Sequence, residues 1–262
     1  MDAAVHVNAR PQVLILAGDG INCERETARA FSLVGAESVI LHINDLLEAP
    51  GRMKRFHALA IPGGFSFGDD LGSGQVLALK IRHHLRDELA RFVEKHKAVI
   101  GICNGFQVLV RLGLLPYPFG NRVMALGPNR SGTFLNRWVG LSVNSKSPCI
   151  WTRDFAPVDR LELPMRNAEG RVVFREGREK KILRALEKDN LVVLRYREDV
   201  NGSYGRIAGV CDPTGLIFGV MPHPEAFLSN LLHPTLSQSS VRFGHGLGLR
   251  FFTSCIRFLR ES

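Results

Sequence analysis

Cys103 stands in the stretch Gly101-Ile102-Cys103-Asn104-Gly105. A thiol with glycine two residues before and two after, preceded by an apolar run and followed by a helical pattern, fits a sharp strand-to-helix turn with a nucleophile at its tip. Side chains at the two flanking positions of such a turn would collide, and glycine removes them. The helix that follows would bring the positive end of its dipole to the sulfur and favour the thiolate. The Asn104 N–H would then be free to bind an oxyanion. The same residues also suit a small buried cysteine at the end of a central strand, so the pattern alone leaves both readings open.

A cysteine nucleophile needs a base, and Met221-Pro222-His223-Pro224-Glu225 supplies a candidate. Each proline pushes the residue before it to an extended conformation. Extended chain has a period of two, so His223 and Glu225 are expected on one side of the backbone. Glu225 can then hold one imidazole nitrogen while the other faces outward, the order of nucleophile, base and orienter in a triad. Taken alone, a histidine between prolines also fits a packed turn at a strand end; beside the elbow, the catalytic reading is the stronger. A third element is Pro62-Gly63-Gly64, where consecutive N–H groups without bulky cover suit the second half of an oxyanion hole. It is no phosphate loop, because no Gly-Lys-Ser or Gly-Lys-Thr follows and Asp69 and Asp70 do.

The other four cysteines, Cys23, Cys149, Cys211 and Cys255, are read as structural. Cys23 adjoins Glu24 and Glu26, whose charges oppose a thiolate. The odd number of cysteines, without a CxxC pair or zinc spacing, implies a reducing compartment and no metal site. The N-terminal stretch lacks the apolar core of a signal peptide, and no window reaches the roughly 18 to 20 apolar residues of a membrane span. A cytoplasmic protein is expected. The net charge of +9 is scattered, without base-reading motifs, and implies a solvated or protein-facing surface rather than nucleic acid.

The elements that must position these residues follow from alternation. Apolar runs "VLILAG", "SVILHI", "HALAIPGG" and "AVIGIC" each precede a glycine-bearing loop and a helical segment, the order of a mostly parallel sheet with helices on its faces. Helices are expected over Glu24 to Leu33, from about Val76 to His96 on the stripe Leu77, Ile81, Leu85, Leu89 and Phe92, and from about Gly246 to Arg260. After Leu115 the shorter runs "RWVGLSV", "RLELPM", "NLVVLRY", "RIAGVCD" and "LIFGVMPHPE" predict an antiparallel or mixed extension of the sheet. The stretch "LLHPTLSQSSVRFGHG" reads as a surface loop, and no linker divides the 262 residues, so a single α/β domain is expected.

With "IPGGFSFGD", "GICNGFQVL" and "MPHPE" in this order, the chain resembles class I (triad) glutamine amidotransferases. Within them it is most similar to the family of glutaminase subunits of phosphoribosylformylglycinamidine synthases. "GDGINCERETARAF", "NRSGTFLNRW", "NGSYGRIAGV" and "GLGLRFF" carry the resemblance from about Gln12 to Leu259. It implies a flavodoxin-like amidotransferase fold and hydrolysis of glutamine by Cys103, His223 and Glu225 through a glutamyl thioester. It also implies oxyanion donors from Gly64, Phe65 and Asn104, and substrate contacts from Gln107 and the segment holding Asn129, Ser131 and Phe134. Ammonia would pass to a large synthetase subunit of purine biosynthesis, alongside a small accessory subunit. ATP and magnesium would belong to that synthetase, with no cofactor, nucleic acid or membrane bound by this chain. Two departures stand out: "NAEG" at Asn167 to Gly170 where the family often has His-Gly-Glu-Gly, and Ala226 where an arginine commonly follows. Rival readings are another amidotransferase, a stand-alone cysteine hydrolase of related fold, and a binding protein with a vestigial triad.

Overall fold

Three short runs with no polar residue in them, β3 (Ala58–Ile61), β4 (Ala98–Ile102) and β11 (Ile217–Val220), are buried along their whole length. Strands covered on both faces read this way, and they form the middle of the sheet. The computed structural model describes residues 10–156, 159–235 and 244–261. The other strands are β1 (Gln12–Ala17), β2 (Glu37–His42), β5 (Met124–Pro128), β6 (Leu135–Val143), β7 (Leu161–Asn167), β8 (Glu169–Phe174), β9 (Val192–Tyr196) and β10 (Ile207–Cys211). Nine strands form one sheet in the order β2-β1-β3-β4-β11-β10-β9-β6-β7. Pairings from β2 through β11 are parallel, and those from β11 outward to β7 are antiparallel. The expected parallel half with an antiparallel extension is therefore what the chain builds. β5 and β8 form a separate antiparallel pair, which the sequence pattern does not foretell.

The helices are α1 (Glu24–Leu33), α2 (Ile43–Glu48), α3 (Gln75–His84), α4 (Arg86–Glu94), α5 (Asn104–Leu112), α6 (Glu179–Lys188) and α7 (Leu249–Glu261). α1 has the expected bounds. The single helix expected from Val76 to His96 is instead two, broken at Leu85, whose ψ of 10° leaves the helical region. Four-residue spacing explains the break: each step of four overshoots a full turn by about 40°, so a straight helix would carry the stripe away from the sheet. The bend resets it, and Leu77, Ile81, Leu85, Leu89 and Phe92 are all buried. α7 begins three residues later than expected and meets α1 through an edge-to-face contact of Phe31 and Phe252, with centroids 5.0 Å apart. Of the expected surface loop near the C-terminus, residues 236–243 lie outside the described residues. Among the described residues no helix is long and apolar enough to cross a membrane.

Candidate active site

β3, β4 and β11 are adjacent and parallel, with Ile61 beside Gly101 and Val220 beside Ile102. The loops leaving their C-terminal ends therefore open at one edge of the sheet, where open α/β sheets place their ligands. Those loops carry Pro62 to Asp70, Cys103, and His223 with Glu225. Topology alone brings together three motifs that lie far apart along the chain.

Cys103 has φ of 51° and ψ of −106°, a strained conformation for a residue with a side chain, and it caps α5 as the elbow predicts. Its N–H donates to Val220 O at 2.8 Å, which ties the elbow to β11. Both elbow glycines are required by close approach. A Cβ on Gly105 would lie 1.8 Å from Ile61 O, and one on Gly101 would lie 2.5 Å from Gly105 O. Gly63 lies between the nucleophile and the base: a Cβ there would be 2.8 Å from His223 Cε1 and 3.4 Å from Cys103 Cβ.

His223 Nδ1 and Glu225 Oε1 are 2.6 Å apart. His223 is extended as expected, but Glu225 lies in a tight 3-10 turn, Pro224–Ala226, rather than in extended chain. The turn corrects the expected geometry, since it folds the carboxylate back onto the ring instead of projecting it in parallel. Burial by itself would push the His223 imidazole down; the Glu225 carboxylate, aided by Cys103 and Cys23, outweighs it and holds the ring well above the usual histidine value. His223 Nε2 is buried without a hydrogen-bond partner, leaving it available to a reacting group.

The oxyanion donors divide. The N–H groups of Gly64 and Asn104 donate to no other described residue. The Phe65 N–H, also expected as a donor, is instead bound to Gly20 O at 2.8 Å, within the bridge that pairs Ile21 with Gly64. Gly64 and Asn104 thus remain as the expected donors without a partner among the described residues.

The expected substrate contacts also divide. Gln107 donates to Glu169 O at 2.9 Å and accepts from Asn104 Nδ2 at 3.1 Å, so its amide braces the elbow helix against β8. Asn129 Nδ2 donates to Asn167 O and Thr133 O, at 2.8 and 3.0 Å. Both side chains are buried and hydrogen-bonded within the protein, which fixes their orientation beside the elbow and the β7–β8 turn. Ser131 is exposed and bonded to Thr133. Phe134 is half exposed, its ring 6.4 Å from that of the half-exposed Phe65.

Sequence reasoning missed several participants. The Asn104 side chain accepts from Ser66 Oγ at 2.6 Å and donates to Asp69 at 3.0 Å, fastening the oxyanion loop to α5. Burial, with Glu169 nearby, raises Asp69 above the usual carboxylate range despite bonds from Ser73 and Asn104. Arg166 O lies 3.7 Å from Cys103 Sγ. The Asn167 amide and the Tyr196 hydroxyl are buried without partners, and the hydroxyl is held far above its usual range by burial and by Cys103. Of these, Ser66 and Asp69 stood in the motif "IPGGFSFGD" and Asn167 in the departure "NAEG", but nothing local marked the bonds they make.

The profile of the CobB/CobQ-like glutamine amidotransferase domain matches residues 10–259. The chain is 38% identical over 257 residues to the phosphoribosylformylglycinamidine synthase subunit PurQ of Dehalococcoides mccartyi, covering 97% of this chain and 99% of that one. It is 40% identical over 239 residues to the subunit of the same name from Methanococcus maripaludis, covering 86% and 85%. Among solved structures, PurLQS from Thermotoga maritima aligns with a TM-score of 0.74 at 32% identity, over 95% of this chain and 99% of that one.

Proposed function

The chain belongs to the CobB/CobQ-like glutamine amidotransferases, and from that footing we propose that it is the glutaminase subunit of a phosphoribosylformylglycinamidine synthase. The observation that carries the chemistry is the meeting of Cys103 and His223 across Gly63, with Glu225 bonded to the ring. The Cys103 sulfur attacks the side-chain carbonyl carbon of glutamine, and the Gly64 and Asn104 N–H groups take the oxyanion. His223 gives its proton to the departing nitrogen, so ammonia leaves and a glutamyl thioester remains. The same ring then takes a proton from water, which opens the thioester to glutamate and restores the thiol. Glu225 fixes the ring's tautomer and orientation throughout.

Ammonia passes to a synthetase subunit, which uses ATP and magnesium to convert formylglycinamide ribonucleotide to formylglycinamidine ribonucleotide; a small accessory subunit completes the assembly. The five free cysteines support a reducing, cytoplasmic setting. The test is peptide mass spectrometry after exposure to an electrophilic glutamine analogue. The expected result is an adduct on Cys103 that glutamine suppresses, and its absence from Cys103→Ser. Labelling that glutamine leaves unchanged would favour a cysteine hydrolase of related fold, and no adduct on Cys103 would overturn the assignment.

A further inference from the structure

Cys23 is a thiol beside the triad that the reaction does not use. It ends the loop between β1 and α1, where its N–H donates to Gly63 O at 3.3 Å, so the turn that adjoins Cys103 also holds Cys23. One donor atom from each of Cys23, His223 and Glu225 lies within 4.8 Å of the other two. A separate observation points to a ligand. His223 Nε2 and Glu225 Oε2 are buried with no hydrogen-bond partner, in residues 4% and 2% exposed. The triad accounts for Nε2, which is left to the reacting group; Glu225 Oε2 is the buried atom that it leaves without a partner.

Sulfur, imidazole nitrogen and carboxylate oxygen form a borderline-soft donor set that suits zinc and its neighbours rather than magnesium or calcium, which take oxygen alone. Bonds of about 2.0 to 2.3 Å place tetrahedral ligand atoms somewhat under 4 Å apart, so side-chain shifts on the order of an ångström close this cluster around an ion. Three protein donors leave a fourth position for water, the open arrangement of a reversible site.

We propose that Cys23, His223 and Glu225 form a regulatory site for a zinc-class divalent cation, whose binding withdraws the general base from Cys103. Binding takes the Cys23 thiolate, releases the thiol proton to solvent and changes no oxidation state. The inhibition rests on the glutaminase reading; the binding does not.

The test uses the full chain under metal-free reducing conditions, titrated with zinc by equilibrium dialysis and with cobalt by absorption. The wild type takes up a single chelator-reversible cation per chain, shows a sulfur-to-cobalt charge-transfer band, and loses glutamine hydrolysis in step with occupancy. Cys103→Ser keeps the site. Cys23→Ser, with Cys23→Ala as the second variant, loses zinc affinity by more than about 100-fold, beyond the cost of an outer-shell change, and whatever glutamine hydrolysis it retains no longer falls on adding zinc. Dialysis reads binding without reference to activity, so a failed glutaminase assay leaves this result intact. Three outcomes would overturn the proposal: no tight binding to wild type, undiminished binding to both Cys23 variants, or binding that is lost with Cys103 and kept without Cys23.

Discussion

At the residue scale the controlling contact is the one between His223 and Glu225, 2.6 Å apart and buried. Burial opposes a charged ring, so the raised value exists only because Glu225, with Cys103 and Cys23, outweighs it. A histidine raised in the folded state stabilises the fold fully below its unfolded value, about 6.5, and the contribution fades as pH rises through the folded value. Glu225→Gln removes the charge that raises it. The stability gap between wild type and Glu225→Gln, read from urea denaturation midpoints, is therefore expected to be largest near pH 6 and to shrink toward alkaline pH. A gap that is constant, or that widens with pH, would mean that Glu225 does not hold the proton on His223. The same variant is expected to lower kcat by roughly 10²- to 10⁴-fold, the range of an impaired general acid and base. Cys103 and His223 have the backbone shapes that glycine and proline dictate locally, whereas Glu225 reaches the ring through a tight turn that a period of two does not give. Phe65 was misread because its N–H is claimed by Gly20, far back in the chain, and no local pattern records that bond. The protein partners of Gln107 and Asn129 were hidden for the same reason: which group satisfies a buried amide is decided by tertiary packing.

At the scale of elements, the elbow works because α5 lies so close to β3 that only glycine fits at position 105. A Cβ there would meet the Ile61 carbonyl at 1.8 Å, a backbone atom that cannot swing aside. Gly127, in β5, has open space where a Cβ would stand, with no atom within 4 Å, and its φ is not positive. Gly105→Ala is therefore expected to destabilise the chain by about 3 kcal/mol or more, as overpacking against a fixed backbone does. Gly127→Ala is expected to be neutral or stabilising by up to about 1 kcal/mol, through the unfolded state. Thermal or urea unfolding of the two variants checks the pair, and similar effects from both would show that α5 can move away from β3. Elements with long apolar runs or a clear stripe were legible, among them β1 to β4, α1 and the C-terminal strands. β5 and β8 were not, because a two-stranded pair outside the main sheet needs no strong apolar run, and Arg171 and Pro128 interrupt the pattern. α6 was hidden by its charge: Ile182, Leu183 and Leu186 form a narrow stripe among lysine, arginine and glutamate, which reads as solvated surface.

At the scale of the whole molecule, the chain encloses its chemistry while leaving apolar groups open on the loops beside it. Cys103, His223 and Glu225 are each less than a tenth exposed, whereas Phe65, Phe134 and Leu71 are 46%, 48% and 82% exposed. The loop bearing Phe65 and Leu71 also collects left-handed residues with side chains, at Phe67, Asp69 and Leu71, each costing about 1 to 3 kcal/mol that is recovered elsewhere. Such a loop holds one arrangement only while its bonds to Asn104, Ser73 and Gly20 hold it, so a surface pressing on its apolar tips can bias it toward another. The Gly64 peptide lies within this loop, and its N–H, free of any described partner, is one of the two donors proposed for the oxyanion. A synthetase docked there would therefore act on transition-state stabilisation more than on glutamine binding, which belongs to kcat rather than KM. The isolated chain is accordingly expected to hydrolyse glutamine slowly, and the synthetase subunit to raise kcat by roughly 5- to 150-fold, a coupling of about 1 to 3 kcal/mol, with a smaller change in KM. Steady-state glutamate release with and without the partner measures this. Leu71→Asp, which lies outside the triad, should leave the slow basal rate in place and remove most of the stimulation. Equal turnover in the presence and absence of the synthetase, or stimulation that survives Leu71→Asp unchanged, would mean that the loop is already in its working arrangement and that docking serves only to collect the ammonia.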